Sequence, residues 1–198
     1  MEECAQPVLF ATVTAVLLGA VVGALRGGSL IRLSHLEVRL AWLAGLAWLL
    51  QVVIFASPLT GLLDAWVVAI HLVSILMVAI VIVANRALPG VAVFGLGLLL
   101  NAAVISANAG FMPVSSAAIM ANGDSANLAA LENGGHVQKA VLMRPDSPLW
   151  FLGDLIPVPP IRKVYSPGDL VAALGAVLLV VQGMGRSRSP AHTLPGAT

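Results

Sequence analysis

The sequence predicts an all-α integral membrane protein, a single bundle of about five transmembrane helices. Of its 198 residues 59% are hydrophobic and 10% are charged, whereas roughly a quarter of the residues in a soluble domain are charged. Its apolar stretches approach the roughly 20 residues with which a helix crosses the bilayer, and they lack the alternation of a transmembrane barrel. The predicted spans are residues 8–25, 39–56, 64–84, 90–108 and 169–185.

The first predicted helix is a retained helix and not a cleaved signal peptide. Acidic Glu2 and Glu3 precede it, where a signal peptide has positive charge. Small residues recur along it at spacings of four, which favours close approach of a neighbouring backbone. These small residues are Ala11, Ala15, Gly19 and Gly23. We therefore expect helix one to have a packing face, which is also the candidate contact with a membrane protein partner.

Short turns join the first four helices, and one long segment precedes the last. Glycine and proline at Gly27-Gly28, Ser57-Pro58 and Pro89-Gly90 predict turns, so consecutive helices are expected to be antiparallel neighbours. The predicted single domain covers residues 1–185, and residues 186–198 are predicted to form a disordered cytoplasmic tail.

The long segment, residues 109–168, is predicted to be an external loop. Its alanine-rich stretch 115–132 predicts one short helix. Residues 149–160 are apolar, too short to span and rich in proline, which favours an interfacial or re-entrant segment.

The charges predict an orientation. Arginines lie beside one set of helix ends and most acids beside the other, so the positive-inside rule places the N-terminus outside and the C-terminus inside.

Cys4 is the single cysteine, which excludes an intrachain disulfide and a cysteine zinc site. Basic residues are scattered without interleaved aromatics, so we expect no nucleic-acid partner.

Polar side chains at matching depth predict a cavity. Gln51, His71 and Asn101 lie roughly 7–11 Å below the outer ends of three predicted helices, at about 1.5 Å per residue. Asp64 and Asn108 lie two turns further out on two of these helices. If these faces point inward they line a cavity open to the extracytoplasmic side; the alternative is that they only hydrogen-bond across helices.

Asp154 and Asp169 form a candidate catalytic pair. Each follows a glycine in an apolar frame, and two close carboxyl groups that share a proton are the chemical basis of aspartic peptidases. The alternative for Asp169, which follows Ser166-Pro167-Gly168, is that it caps the last helix. No ligand spacing supports a metal at His71 with these acids, and no metal or cofactor is predicted.

The start of the last helix resembles one known family over about twenty residues. Tyr165-Ser166-Pro167-Gly168-Asp169 is similar to the Phe-Asn-x-Ala-Asp motif of lipoprotein signal peptidases, with Ser166 and Gly168 as departures. In that family the terminal aspartate is one of a catalytic pair, so the resemblance implies a catalytic role for Asp169. The Asp-Arg that this family carries after an earlier helix is absent here.

A broader resemblance covers most of the chain. The residues that carry it are Arg26-Gly27-Gly28, Gln51, Asn101, Asn108 through Ser115, His136-Val137, Leu149, Phe151 through Pro157 and Ser166 through Asp169. They resemble a bacterial multi-pass membrane family catalogued as a domain of unknown function. The resemblance implies a bacterial plasma-membrane location and no assigned activity.

Three functions follow from these observations. The first is binding or transport of a small molecule or lipid head group in the predicted cavity, with the lipid bilayer as the surrounding partner. The second is a membrane-embedded hydrolase that uses Asp154 and Asp169 as general acid and base. The third is a structural or assembly subunit that contacts its partner through helix one.

Overall fold

The computed structural model describes residues 7–56, 66–133, 135, 137 and 140–185. Most of these residues are helical, and four short strands lie between the last two long helices. The helices are α1 (Pro7–Leu25), α2 (Leu30–Ser34), α3 (Ala41–Ala56), α4 (Val67–Ala84), α5 (Val91–Ala107), α6 (Ser116–Ala121), α7 (Ser125–Glu132) and α8 (Pro167–Gly183). The strands are β1 (Met112–Val114), β2 (Ala140–Leu142), β3 (Ile156–Val158) and β4 (Lys163–Tyr165).

The lengths of the helices overturn the predicted membrane topology. The five long helices contain 16 to 19 residues, about 24–29 Å at about 1.5 Å per residue, whereas the hydrocarbon core is about 30 Å thick. Across the described ranges, no helix combines the length and apolarity needed to cross a membrane. The predicted transmembrane bundle, its orientation and its location as a multi-pass protein of the plasma membrane are therefore wrong.

A long helix overlaps each of the five predicted ranges, with shifted ends. The last helix begins at Pro167 and ends at Gly183, two residues before each end of the predicted range 169–185. Ser166 caps this helix, and proline at its first position suits the start of a helix because no amide hydrogen is required there. Residues 186–198, the predicted tail, lie outside the described residues.

The predicted external loop is a folded segment that contains two small sheets. Strand β1 pairs in parallel with β2, with Met112 opposite Ala140. Strands β3 and β4 form an antiparallel hairpin, with Ile156 opposite Tyr165. The all-α prediction is therefore wrong, and so is the single re-entrant piece at 149–160, which contains 3-10 turns at Trp150–Leu152 and Pro159–Ile161 around β3.

We call the described residues between 112 and 165 the cap. Met112 and Leu152 of the cap pack against the end of α5, and other cap residues form an apolar cluster of their own. Val114, Ile119 and Leu131 are buried together. The backbone of Asp154 joins β1 to the segment before β3: its amide donates to the oxygen of Pro113, and its oxygen accepts from the amide of Ser115, each at 2.9 Å. The stretch 115–132, predicted as one helix, is two helices, α6 and α7.

Helix α8 is the centre of the helical part, because both α1 and α5 pack against it. Gly97 lies opposite Gly168 and Gly90 opposite Gly175, so α5 and α8 are antiparallel and their backbones approach closely. On another face of α8, Gly19 and Gly23 of α1 lie opposite Val180 and Met184 respectively, so α1 runs parallel to α8. Helices α3 and α4 form a second packed pair.

Candidate functional site

The first polar cluster lies where α8 begins, and the local sequence explains its shape. The hydroxyl oxygen of Ser166 accepts from the amide of Asp169, and Oδ2 of Asp169 accepts from the amide of Ser166, each at 3.0 Å. This reciprocal arrangement is a capping box, which satisfies two amides that have no partner within the helix. The capping role considered for Asp169 is thus present in the structure.

Asn101 of α5 completes this cluster. Its Nδ2 donates to Oδ1 of Asp169 at 2.7 Å, and its Oδ1 accepts from the hydroxyl of Ser166 at 2.8 Å. A Cβ atom at Gly168 would overlap the side chain of Asn101, so glycine at that position makes the contact sterically feasible. We call Asn101, Ser166 and Asp169 the α5–α8 cluster.

Tyr165 lies beside this cluster at the end of β4. Its side chain is buried, and burial, followed by the nearby charge of Asp169, raises the pKa of its phenol above the ordinary value of 10.0. Tyr165 and Ser166 were not among the site residues predicted from the sequence. The signal that points to Ser166 is a capping pattern, serine followed three residues later by an acid at the start of an apolar helix.

The second polar cluster joins α3 to α4. Nε2 of Gln51 lies 3.0 Å from Nδ1 of His71 and donates to the hydroxyl of Ser74 at 2.6 Å. The Ser74 hydroxyl donates to the backbone oxygen of His71 at 2.7 Å. His71 and Ser74 are buried. We call these three residues the α3–α4 cluster.

The remaining predicted residues have other surroundings. Nδ2 of Asn108 donates to the oxygens of Val104 and Pro148, at 2.7 and 2.9 Å, and so joins the end of α5 to the cap. Asp154 lies within the cap, one residue before Leu155, whose amide donates to the oxygen of Tyr165 at 3.2 Å. Asp64 lies outside the described residues.

The hydrogen bonds therefore place the predicted cavity residues in two clusters on different helix pairs. Gln51 and His71 hold α3 to α4, whereas Asn101 holds α5 to α8. A surface groove of about 410 Å³ on α4 is apolar, lined by Leu76, Ala79, Ile80, Val83 and Ala84. No group of three histidine, cysteine or acidic side chains in the described part of the chain is placed to hold a metal ion.

The hydrogen bonds of the α5–α8 cluster hold α5 against the start of α8. Both carboxylate oxygens of Asp169 accept hydrogen bonds, and the Ser166 hydroxyl donates to an amide oxygen. A dyad of acids needs a carboxyl oxygen directed at a second carboxyl group. The catalytic roles predicted for Asp154 and Asp169 stay predictions.

A family model matches residues 35–181 of the chain, and it describes DUF5317, a family of unknown function. The match covers α3 through most of α8, including both polar clusters and the cap. No curated protein and no solved structure gives a significant match.

Proposed function

Since the chain belongs to the DUF5317 family, whose function is unknown, we propose a function from its geometry: it is an assembly subunit that pairs with a second copy of itself through α1. The observation that carries this proposal is a row of exposed apolar side chains along that helix. Val13, Leu17, Val21 and Leu25 are exposed by 48, 61, 57 and 83% respectively. We call these four residues the α1 ridge.

The α1 ridge points away from the helices of its own chain. The opposite face of α1, which includes Ala15, Gly19 and Gly23, is buried, and Gly19 and Gly23 pack against α8. Three of the small residues that the sequence offered for a partner, Ala15, Gly19 and Gly23, are thus occupied within the chain. A contact with another molecule through α1 would use the ridge instead.

Spacing by four residues is the geometry of helix-to-helix packing. Side chains at i, i+4 and i+8 form a ridge that fits the groove of a second helix, the commonest class of helix contact in globular proteins. Ala20 and Ala24 lie beside the ridge, and their short side chains leave room for the side chains of a facing helix. Burying four half-exposed apolar side chains contributes roughly 1 kcal/mol each.

A second copy is the partner that this surface fits. In a two-fold dimer the same patch faces itself, which is the commonest symmetry of protein oligomers, and the α1 ridge supplies both a row of side chains and the adjacent alanine-lined groove. Helix α1 contains no charged residue between Pro7 and Leu25, so the ridges of two such helices meet without like-charge repulsion.

The other functions considered have less support. Ligand binding by Gln51, His71 and Asn101 requires polar groups directed at a ligand, and these side chains are hydrogen-bonded within two protein clusters. Hydrolysis by the two acids requires their carboxyl groups to face each other, and the oxygens of Asp169 are directed at Asn101 and at the amide of Ser166. Self-assembly requires no rearrangement of the described side chains.

The test is the mass of the protein in solution, before and after the α1 ridge is charged. We expect the protein to be a dimer by multi-angle light scattering and the double variant Leu17→Glu, Val21→Glu to be a monomer. Because both side chains are mostly exposed, helical content by circular dichroism should be unchanged.

The matched control is Leu96→Glu with Leu99→Glu, which charges two α5 side chains that are 52 and 59% exposed. This variant should remain a dimer. A monomeric parent protein, or equal dissociation of the two variants, would overturn the proposal.

A further inference from the structure

The end of the molecule remote from the cap carries four exposed arginines. Arg26 follows α1, Arg32 lies in α2, Arg39 precedes α3 and Arg86 follows α4. We call these four residues the basic end. They come from separate segments of the chain, so their grouping is a property of the fold.

Backbone contacts bring these segments together. The amide of Ser29 donates to the oxygen of Met184 and Nη1 of Arg32 donates to the oxygen of Gly185, each at 2.9 Å, so α2 lies against the end of α8. The buried side chain of Asn85 bonds the amide and the oxygen of Arg39, each at 2.8 Å, and this places Arg39 beside Arg86.

The basic end has a net positive charge. Between residues 26 and 40 and between residues 85 and 90, Glu37 is the one acid against the four arginines. Among the described residues none of these arginines has an ion pair with a carboxylate. Positive side chains held together without counter-charges attract a negatively charged partner.

Apolar side chains are interleaved with the arginines. Leu30 and Ile31, which precede Arg32, are 61 and 73% exposed, and Trp42 at the start of α3 is 67% exposed. Aliphatic and tryptophan side chains beside cations are typical of proteins that rest in the interface of an anionic bilayer, where the cations contact phosphates and the apolar groups enter the headgroup boundary. A nucleic-acid surface provides no apolar layer for Leu30 and Ile31.

We propose that the basic end binds the surface of a bilayer that contains anionic phospholipids. The arginines contact headgroup phosphates, and Leu30, Ile31 and Trp42 enter the boundary below them. This contact lies in the plane of the surface and requires no helix to span the bilayer. It does not require the pairing proposed for α1: Arg26 follows Leu25 of the α1 ridge, but the other three arginines and the three apolar side chains lie outside that ridge.

The test is co-sedimentation with vesicles of phosphatidylcholine alone and of phosphatidylcholine mixed with phosphatidylglycerol. We expect binding to the mixed vesicles only, weakened by added salt. The variant Arg39→Gln, Arg86→Gln should bind them about 25-fold more weakly, because each arginine near an anionic surface contributes about fivefold. The Asn85 bonds use only the backbone of Arg39, so the fold should be unaffected.

Two further variants separate charge from structure. Arg144→Gln with Lys163→Gln removes the same number of charges from the cap and should bind as the parent protein does. Arg39→Lys with Arg86→Lys should restore most of the binding. Equal binding to neutral vesicles, an equal loss in the cap variant, or tighter binding to RNA or duplex DNA than to the mixed vesicles would each overturn the proposal.

Discussion

Asn101 is the side chain through which α5 holds the capped start of α8. Its side-chain amide donates one hydrogen bond to Asp169 and accepts another from the hydroxyl of Ser166, which is fully buried. The sequence predicted that Asn101 and Asp169 are important but not that they bond to each other. Every long helix is apolar around its circumference, so the pattern carries no information on which face turns toward which neighbour.

The substitution Asn101→Ala should lower the free energy of unfolding by about 1–3 kcal/mol, because it removes two hydrogen bonds and leaves polar groups at a largely buried site. Urea denaturation measures this change as a lower midpoint with an unchanged slope. Asn133→Ala is the control, since that exposed side chain bonds one backbone oxygen at a helix end, and it should shift the stability by less than about 0.5 kcal/mol. Equal effects of the two substitutions would contradict the role given to Asn101.

The phenol of Tyr165 should titrate above pH 10.0, because burial and the charge of Asp169 both raise its pKa. Since it is the one tyrosine in the chain, the absorbance of tyrosinate reports its ionisation directly. Asp169→Asn should move the midpoint of this titration part of the way back toward 10.0, leaving the larger contribution of burial. A midpoint at the ordinary value in the folded protein would contradict the burial of Tyr165.

The raised pKa of Tyr165 also sets an alkaline limit on stability. The folded state holds the phenolic proton more tightly than the unfolded chain, whose tyrosine ionises near 10.0. The resulting stability is fully present below that pH and is lost as the pH rises through the folded-state pKa. Denaturation midpoints of the parent protein should therefore fall more steeply above pH 10.0 than those of Tyr165→Phe; parallel declines would contradict this linkage.

At the scale of elements, the contact between α5 and α8 depends on glycines in both helices. Gly90 and Gly97 are seven residues apart, as are Gly168 and Gly175, and each pair lies opposite the other. The sequence suggested a small-residue packing face on helix one, but these four glycines stand at the starts or middles of helices about 70 residues apart. Their equal spacing indicates a helix contact only once the two helices are known to lie side by side.

The substitution Gly97→Ala should destabilise the protein by about 1–3 kcal/mol, because its Cβ would overlap the backbone of α8 at Gly168 and Ala172. The matched control is Gly45→Ala in α3, where an added Cβ meets no atom within 4 Å. This change should be neutral or stabilise by up to about 1 kcal/mol, since alanine is the better helix former. Thermal denaturation compares the two, and equal melting temperatures would contradict the close crossing of α5 and α8.

The cap is the part of the fold that was hardest to predict. Its strands contain three residues each, which is too short for an alternating pattern to be recognised. The parallel pairing of β1 with β2 joins segments on either side of α6 and α7, and the sequence carries no turn signal for such a contact. The Asn, Gly and Pro residues around them therefore indicated a loop where the structure has two sheets.

At the scale of the whole molecule, the apolar composition predicted a helical protein but assigned its helices to the wrong surroundings. The helices end at turns such as Asn85 and Asn108, close to the ends of the apolar runs. Among the described residues none of them is both long and apolar enough to cross a membrane. Each of the five long helices has exposed apolar side chains, and among the described residues the α1 ridge is the longest row of them at a spacing of four.

The pairing of two copies through α1 is tested most directly by disulfide cross-linking across the proposed two-fold axis. In a Cys4→Ser background, Val21→Cys should give a covalent dimer under mild oxidation. Val21 is one of the two central residues of the α1 ridge, and central residues of a two-fold interface lie close to their counterparts across the axis. Leu99→Cys, equally exposed on α5, should remain monomeric on a denaturing gel. No cross-link at residue 21, or one as rapid at residue 99, would contradict the proposed assembly.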